Sequence, residues 1–272
     1  MLILRSSAYP KKLSLVVPAY NKDQEVFERI VQLVNQLKTL AYDWEIIVVD
    51  DASRDFTLRE AIRSKKFNGN TDRIKVFSYN LNQGKGFALY HGFKKSSGEI
   101  IVFTDSDLDL PAQNLPVMLR YLAAARADMA IGSKRHPLSH INYPRLRKMM
   151  SRVYQLLIKL LFNLNVTDTQ VGLKAFRRQV LEDCFPRIVI KAFAFDLEML
   201  VVAASLGYKN AIETPIILNY NFTSTIKLKA IWNILVDTLA IFYRKKLLRY
   251  YKQPHYRLEQ DEVVIASQKV FI

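Results

Sequence analysis

Three aspartates stand at alternate positions in Phe103-Thr-Asp105-Ser-Asp107-Leu-Asp109-Leu-Pro111, directly after a hydrophobic, β-branched run. On an extended backbone alternate side chains point to one side. Asp105, Asp107 and Asp109 would then gather as hard oxygen ligands, the donor set of Mg²⁺ or Mn²⁺ held partly by substrate phosphates. A solvated acidic turn has the same spelling, whereas an EF-hand does not fit, because the loop glycine is missing and Pro111 follows at once. A second acidic pair, Asp50-Asp51-Ala52-Ser53, also ends an apolar run. An acid there accepts hydrogen bonds from a nucleotide base or ribose, or it caps the next helix. Asn82-Gln-Gly84-Lys85-Gly86 precedes a helical stretch and would bring backbone N–H groups and an ammonium near phosphate. It is neither a P-loop nor a dinucleotide fingerprint, since Leu89 stands where the third glycine belongs, and a plain turn accounts for it equally. Asp196 and Glu198 interrupt an otherwise apolar helical stretch. They are buried structural carboxylates, or Asp196 is a general base for a hydroxyl acceptor.

The elements that must position these groups are legible as two alternating periods. Nearly continuous apolar runs at 13–18, 44–50, 73–78 and 99–104 read as strands buried on both faces. Between and after them, 24–40, 55–65, 86–97 and 115–125 carry helical spacing, with Asn82 or Gln83 and Asn114 as helix starts. A βαβα succession of this kind predicts an α/β fold with a mostly parallel sheet flanked by helices. Ligands in such sheets meet the carboxyl ends of the strands, which is where the acidic motifs lie. Beyond residue 130 the expected order is a short strand at 128–132, a loop at 136–144, a cationic amphipathic helix at 145–163, a helix at 193–206, a strand at 209–218 and a third helix at 230–246.

Forty Lys and Arg against 25 Asp and Glu give a net charge of +15, and two stretches, 129–167 and 214–258, supply nearly all of that excess. Something anionic is therefore expected to meet the later part of the chain. A nucleic acid is the natural candidate at this charge, but three carboxylates lined up at a strand end would repel phosphate unless a metal intervened, so no nucleic-acid partner is expected. His136 and His140 flank Pro137, which argues against a zinc pair on one helix face, and no His-Glu-x-x-His occurs. A single cysteine, Cys184, excludes an internal disulfide framework and suits a reducing cytoplasm. No export signal is read at the N-terminus, and no apolar stretch reaches the length of a membrane span. The helices at 145–163 and 230–246 pair apolar faces with basic residues, as interfacial helices on anionic lipid do; packing against the sheet would produce the same stripes.

Taken in order, Val17-Pro-Ala-Tyr-Asn21, Val49-Asp-Asp-Ala-Ser53, Asn82-Gln-Gly-Lys-Gly86, Asp105-Ser-Asp107, Gly132-Ser-Lys134, Asp168-Thr-Gln-Val-Gly-Leu-Lys174 and Phe195-Asp-Leu-Glu198 resemble the family 2 glycosyltransferases, and most of all their dolichyl-phosphate glucosyltransferase and mannosyltransferase branch. The resemblance implies a GT-A (Rossmann-like) fold over 1–228, a basic amphipathic membrane-surface helix at 229–252 and an unassigned tail at 253–272. It implies a nucleotide-sugar donor, UDP-glucose or GDP-mannose, held by Pro18, Tyr20, Asn21, Asp51, Gly84, Lys85, Asp105 and Ser106. Asp105 and Asp107 become the catalytic pair bridging Mg²⁺ or Mn²⁺ to the diphosphate, and Asp109 takes a place where related mannosyltransferases often carry Gln. Two departures stand out: Lys22 replaces the usual glutamate, and Lys134 replaces the usual arginine, a point charge in place of a bidentate fork.

The implied acceptor is a polyprenyl or dolichyl phosphate, its phosphate gathered by Lys134, Arg135, Arg147, Ser224 and Lys227. A phosphate monoester has a second pKa of about 6 and is already an anionic nucleophile near pH 7, so it needs cations rather than a general base. In-line displacement by it on the anomeric carbon inverts the linkage. The matches at Asp168-Thr-Gln, Phe195-Asp and Ser224 lean to glucose. The expected location is the cytoplasmic side of a membrane, as a peripheral or monotopic protein, and the same faces admit a membrane-protein partner or a second copy of the chain. A family 2 transferase acting on a glycan or protein-linked hydroxyl is the main alternative. A processive polysaccharide synthase shares the fold but would bring transmembrane spans and a Gln-x-x-Arg-Trp signature that the chain lacks.

Overall fold

The computed structural model describes residues 12–69, 72–141, 145–190, 194–219 and 228–253. The four apolar runs become β1 (Lys12–Ala19), β2 (Asp43–Asp50), β3 (Ile74–Ser78) and β4 (Ile100–Phe103), all parallel to their neighbours in this group. They alternate with α1 (Val26–Lys38), α2 (Thr57–Phe67) and α3 (Lys85–Lys95). After β4 come α4 (Asn114–Ala124), β5 (Met129–Ser133), β6 (His140–Ile141), α5 (Arg145–Phe162), β7 (Lys174–Arg177), α6 (Arg178–Cys184), α7 (Phe195–Ser205), β8 (Ala211–Pro215), β9 (Ile217–Leu218) and α8 (Leu228–Lys246).

The main sheet has seven strands in the order β3-β2-β1-β4-β7-β5-β8. The chain builds outward from β1 to β2 and β3, then reverses to place β4 on the other side, so a topological switch point opens beyond the carboxyl ends of β1 and β4. Residues of α1 and α4 pack on one face of the sheet, while α3, α6 and α7, with Ile158 of α5 and Ile241 of α8, close the other. β1 and β2 are buried along nearly their whole length because both faces are covered.

The later part of the chain departs from the periodicity in three places. β7, which the sequence did not suggest, runs antiparallel between β4 and β5; at four residues it is too short to show a period, and Lys174 breaks its apolar run. The strand expected over 209–218 is split: β8 pairs with β5, whereas β9 leaves the sheet to pair with β6, inside what reads as a loop. Asn114 does not cap α4 but exchanges hydrogen bonds with the backbone of Ile217, donating at 2.8 Å and accepting at 2.7 Å, which holds β9 in place.

α5 and α8 lie side by side in the same direction. The Tyr154 and Thr238 hydroxyls are 3.1 Å apart, and Lys245 Nζ donates to the Phe162 carbonyl at 3.3 Å. Each helix leaves an apolar stripe exposed at three- and four-residue spacing: Met149, Val153, Leu156 and Leu160 (81% exposed) on α5, and Trp232 (66%), Val236, Leu239 and Tyr243 on α8. Among the described residues no helix is long and apolar enough to cross a membrane.

Glu198 fastens α8 to the core. Its fully buried carboxylate accepts from the backbone N–H groups of Val189 and Ile190, from the Tyr251 hydroxyl at 2.6 Å and from Arg244 at 3.1 Å. Removing it would leave the partly buried Arg244 without its carboxylate, paired only to the Tyr251 hydroxyl, and would leave several donors unpaired. Glu198→Ala is therefore expected to lower unfolding free energy by about 3–5 kcal/mol in urea titration; a loss under about 1 kcal/mol would contradict the anchoring role.

Candidate active site

The segment after β4 carries the three aspartates, and its path is set by a buried arginine. Arg29 sits on the apolar stripe of α1 and is 1% exposed. Its guanidinium donates to the Asp105 carbonyl (3.1 Å), the Leu110 carbonyl (2.6 Å) and the Thr104 hydroxyl (2.6 Å). Drawing both ends of the segment onto one group bends it, so Asp105, Asp107 and Asp109 do not project from an extended strand as their spacing suggests. Burial pulls the Arg29 pKa down, and the charges of Asp107 and Asp105 oppose that.

Asp105 is packed from two sides. Its Oδ1 lies 2.7 Å from Lys85 Nζ, at the first residue of α3. Its carboxylate also rests on Gly172, where an added Cβ would lie 1.7 Å from Oδ2, so only glycine fits. Burial alone would raise the Asp105 pKa, but Lys85, Lys174 and Arg29 outweigh it and hold the carboxyl below its usual range. Asp107 has the opposite fate. Burial first, then the like charges of Asp105 and Asp109, push it up to about 6, against the pull of Lys22 and Arg29. A carboxylate loaded in this way gains from a bound cation. Among the described residues no three acidic, imidazole or thiol groups form a ready-made metal cage. Two hard carboxylates at a strand end nevertheless fit Mg²⁺ or Mn²⁺, which completes its shell with substrate oxygens and water. Asp105 and Asp107 would hold it.

Behind Asp105 the positive charge continues. Lys85 Nζ is also 3.4 Å from Asp196 Oδ2, and Lys174 Nζ lies 2.5 Å from Asp196 Oδ1 and donates to the Val171 carbonyl. Asp196, offered by the sequence as a possible base, is thus enclosed by two ammoniums. Burial lowers the Lys174 pKa, opposed by Asp196. For Lys85 burial is outweighed by Asp105 and Asp196, and its pKa rises.

The turns after β1 and β2 are stitched together. Asn21, at φ 51, receives the Arg54 N–H on its side chain and donates its own N–H to Ser53, and Lys22 N–H donates to the Thr57 hydroxyl. Pro18 is buried one residue before the end of β1, and Tyr20 is 41% exposed at the rim. Lys22 pairs with Glu25 at 3.1 Å. Asp51 faces the turn before α3: its two oxygens accept from Tyr79, Asn82 and the backbone N–H groups of Gln83 and Gly84, all within 3.0 Å. That network holds the Gly84-Lys85 corner, where Gly84 takes φ 91, a conformation that favours glycine. Asp51 therefore shapes the loop that delivers Lys85, and neither it nor Ser53 caps α2; Asp55 accepts from Thr57 N–H at 2.9 Å instead. Ser106 is buried.

At the other edge, Lys134 pairs with Asp168, its Nζ 3.3 Å from Oδ2. Arg135 donates to the Ser151 carbonyl and hydroxyl at 2.6 and 2.9 Å, which ties α5 to the end of β5. Both line a cleft of about 500 Å³ with Met149, Val153, Leu157, Ile234 and Leu235. Arg147 falls in α5, but its side chain, like Ser224 and Lys227, lies outside the described residues. Arg29 escaped the sequence reading, although it was marked by a lone cation on an apolar helical stripe; Gly172 and Lys174 stood in the Asp168–Lys174 motif with no role assigned to either.

The family model described as Glycosyl transferase family 2 matches residues 14–185. A dolichyl-phosphate beta-glucosyltransferase of Trichomonas vaginalis (ALG5C) is 29% identical over 248 residues, 86% of this chain and 72% of its own. The dolichyl-phosphate beta-glucosyltransferase of Drosophila melanogaster is 30% identical over 72% of this chain, which spans 63% of that protein. Among solved structures, glucosyl-3-phosphoglycerate synthase from Mycobacterium tuberculosis, in complex with Mn²⁺, UDP-glucose and phosphoglyceric acid, superposes with a TM-score of 0.64 at 18% identity, covering 86% of this chain and 79% of that one. The likeness extends to the fold.

Two outcomes follow from the site. Gly172→Ala is expected to displace Asp105 and weaken Mn²⁺ binding at least about tenfold, with the melting temperature changed by only a few degrees. Asp107 supplies a pH test. Because its folded pKa is raised, the folded chain binds a proton between about pH 4 and 6 that the unfolded chain does not, and stability is lost as pH rises through that window. Asp107→Asn removes the penalty. Without divalent cation it is expected to be more stable than wild type at pH 7 by about 2 kcal/mol, the difference fading below pH of about 4 in chemical denaturation. Adding Mn²⁺ should stabilise wild type alone.

Proposed function

The chain belongs to glycosyl transferase family 2, and from that premise we propose that it transfers glucose from a nucleotide-diphosphate glucose to a polyprenyl phosphate of the dolichyl class. The cleft between α5 and α8 carries this reading. It is apolar along its walls and ends on Lys134 and Arg135 beside the strand-end site, the shape and chemistry for an acceptor with an anionic head and a long apolar tail. The dolichyl-phosphate beta-glucosyltransferases among the relatives support both acceptor and hexose.

In this mechanism the exposed Tyr20 ring gives the base a face to stack on, and the stitched turns at Asn21 and Ser53 fix its place. Lys85 supplies an ammonium to the diphosphate from a corner that Asp51 holds rigid. A divalent cation, Mg²⁺ or Mn²⁺, bound at Asp105 and Asp107 would neutralise charge on the leaving diphosphate. Lys134, oriented by Asp168, draws the acceptor phosphate to the anomeric carbon from the side opposite the leaving group, so an α-linked donor gives a β-linked product. No group has to remove a proton, because the acceptor is already anionic. Asp196, enclosed by Lys85 and Lys174, is placed to hold charge rather than to take a proton from a hydroxyl.

The exposed stripes of α5 and α8 supply the membrane side of the reading. Apolar residues spaced along both helices, with Lys245 and Lys246 at the end of α8 and Arg249 just beyond it, suit a protein lying on the anionic cytoplasmic surface of a membrane. Binding to anionic vesicles is expected to fall with salt, and the double variant Leu156→Glu/Leu239→Glu is expected to lose it while remaining folded. Undiminished sedimentation of that variant would overturn the surface assignment.

Transfer of radiolabelled hexose from UDP- and GDP-sugars to a short polyprenyl phosphate, with and without Mn²⁺, tests the reaction. The expected result is cation-dependent glucosyl lipid from the UDP donor, reduced about 100-fold or more in Asp107→Asn. Cation-dependent donor hydrolysis with transfer only to hydroxyl acceptors would contradict the acceptor. Product from GDP-mannose alone would contradict the sugar.

A further inference from the structure

Lys85 stands between two acids, and only one of them is where a cation must bind. Its Nζ is 2.7 Å from Asp105 Oδ1 and 3.4 Å from Asp196 Oδ2. Asp105 cannot retreat from it, because its carboxylate rests on Gly172. An ammonium and a divalent cation on the same carboxylate oxygen repel, and with the Lys85 and Asp105 side chains only 25% and 28% exposed the repulsion is only partly screened by solvent. Lys85 must therefore leave Asp105 when a cation arrives, and the second acid is within a shift of about 1 Å of full contact.

Asp196 has the features of a prepared receiver. It is 6% exposed at the start of an apolar helix, a costly place for a carboxylate. Its outer oxygen faces Lys85, while its inner oxygen is fixed by Lys174, which is itself 1% exposed and fastened to the Val171 carbonyl. Asp105, Lys85, Asp196 and Lys174 alternate in sign, and the row stays balanced wherever Lys85 stands along it. We propose that Asp196, held by Lys174, is the receiving site for the Lys85 ammonium, and that this transfer frees Asp105 for the cation. Asp196 and Lys174 are then positioning residues, acting on the reaction only through Lys85. The inference rests on the donor and cation reading proposed above, but it does not depend on the acceptor.

Binding of Mn²⁺ alone, followed by loss of the free-ion electron paramagnetic resonance signal, reads the exchange without turnover. In Asp196→Asn, Lys85 keeps Asp105 as its one acid, and Mn²⁺ affinity is expected to fall about tenfold. Adding Lys85→Met to that variant is expected to restore affinity at least to the wild-type level, which damage to the fold would not permit. Should Asp196→Asn leave Lys174 too poorly compensated to fold, Asp196→Asn/Lys174→Met removes the buried pair as a unit and leaves net charge unchanged. The same fall is expected there, whereas a simple charge effect would leave affinity at the wild-type value. Unchanged affinity in the folded Asp196 variants, or failure of Lys85→Met to restore it, overturns the proposal while the donor reading stands. Absence of Mn²⁺ binding by the wild-type chain, alone or with UDP or GDP, overturns both.

Discussion

Carboxylates crowd the carboxyl ends of these strands, and the fold must supply positive charge to keep them there. Arg29 rises from α1 beneath the acidic segment, Lys85 reaches it from α3, and Lys174 supports it from β7 through Asp196. Each cation comes from a different element, so the site exists only when the sheet and both helical layers are assembled. Asp107 is left under-compensated, with its carboxyl pushed to about 6. A cation held by Asp105 and Asp107 would relieve that residual strain.

The reversal of strand order does the remaining positioning. Inserting β7 antiparallel beside β4 sets Lys174 opposite Phe103, two residues before Asp105. The approach to β7 then brings Gly172 against the Asp105 carboxylate. A parallel neighbour would have entered from the other end and delivered neither residue. The same turn of chain carries Asp168 to Lys134, so one short segment, 168–174, touches both Lys134 and Asp105. Arg135 then links that edge to α5, and Glu198 links α7 to α8, which gives the outer helices fixed positions relative to the chemistry.

The first half of this arrangement was legible in the sequence and the second was not. The strands that lead into Asp50-Asp51 and, two residues past β4, Asp105 are continuous apolar runs that stop at charge, a local signal that survives folding. Membership in the family was likewise readable from ordered motifs. Asp51 was visible as an acceptor of hydrogen bonds, but its partners, Tyr79 and the N–H groups before α3, come together only through the β2–β3 pairing. β7 and β9 are too short to carry a period, and β9 owes its register to Asn114, more than a hundred residues away in sequence. Gly172 is special because of what lies above it, and no neighbour in the chain announces that. Arg29 is the missed residue with a readable sign: a cation at an apolar position of a helix must find buried acceptors.

A structure of the chain with Mn²⁺ and UDP-glucose, the ion located by its anomalous scattering, tests the central claim most directly. Mn²⁺ is expected on Asp105 and Asp107, with Lys85 moved off Asp105 and against Asp196. Mn²⁺ bound away from both aspartates, or Lys85 still closed on Asp105 with the donor in place, would contradict it.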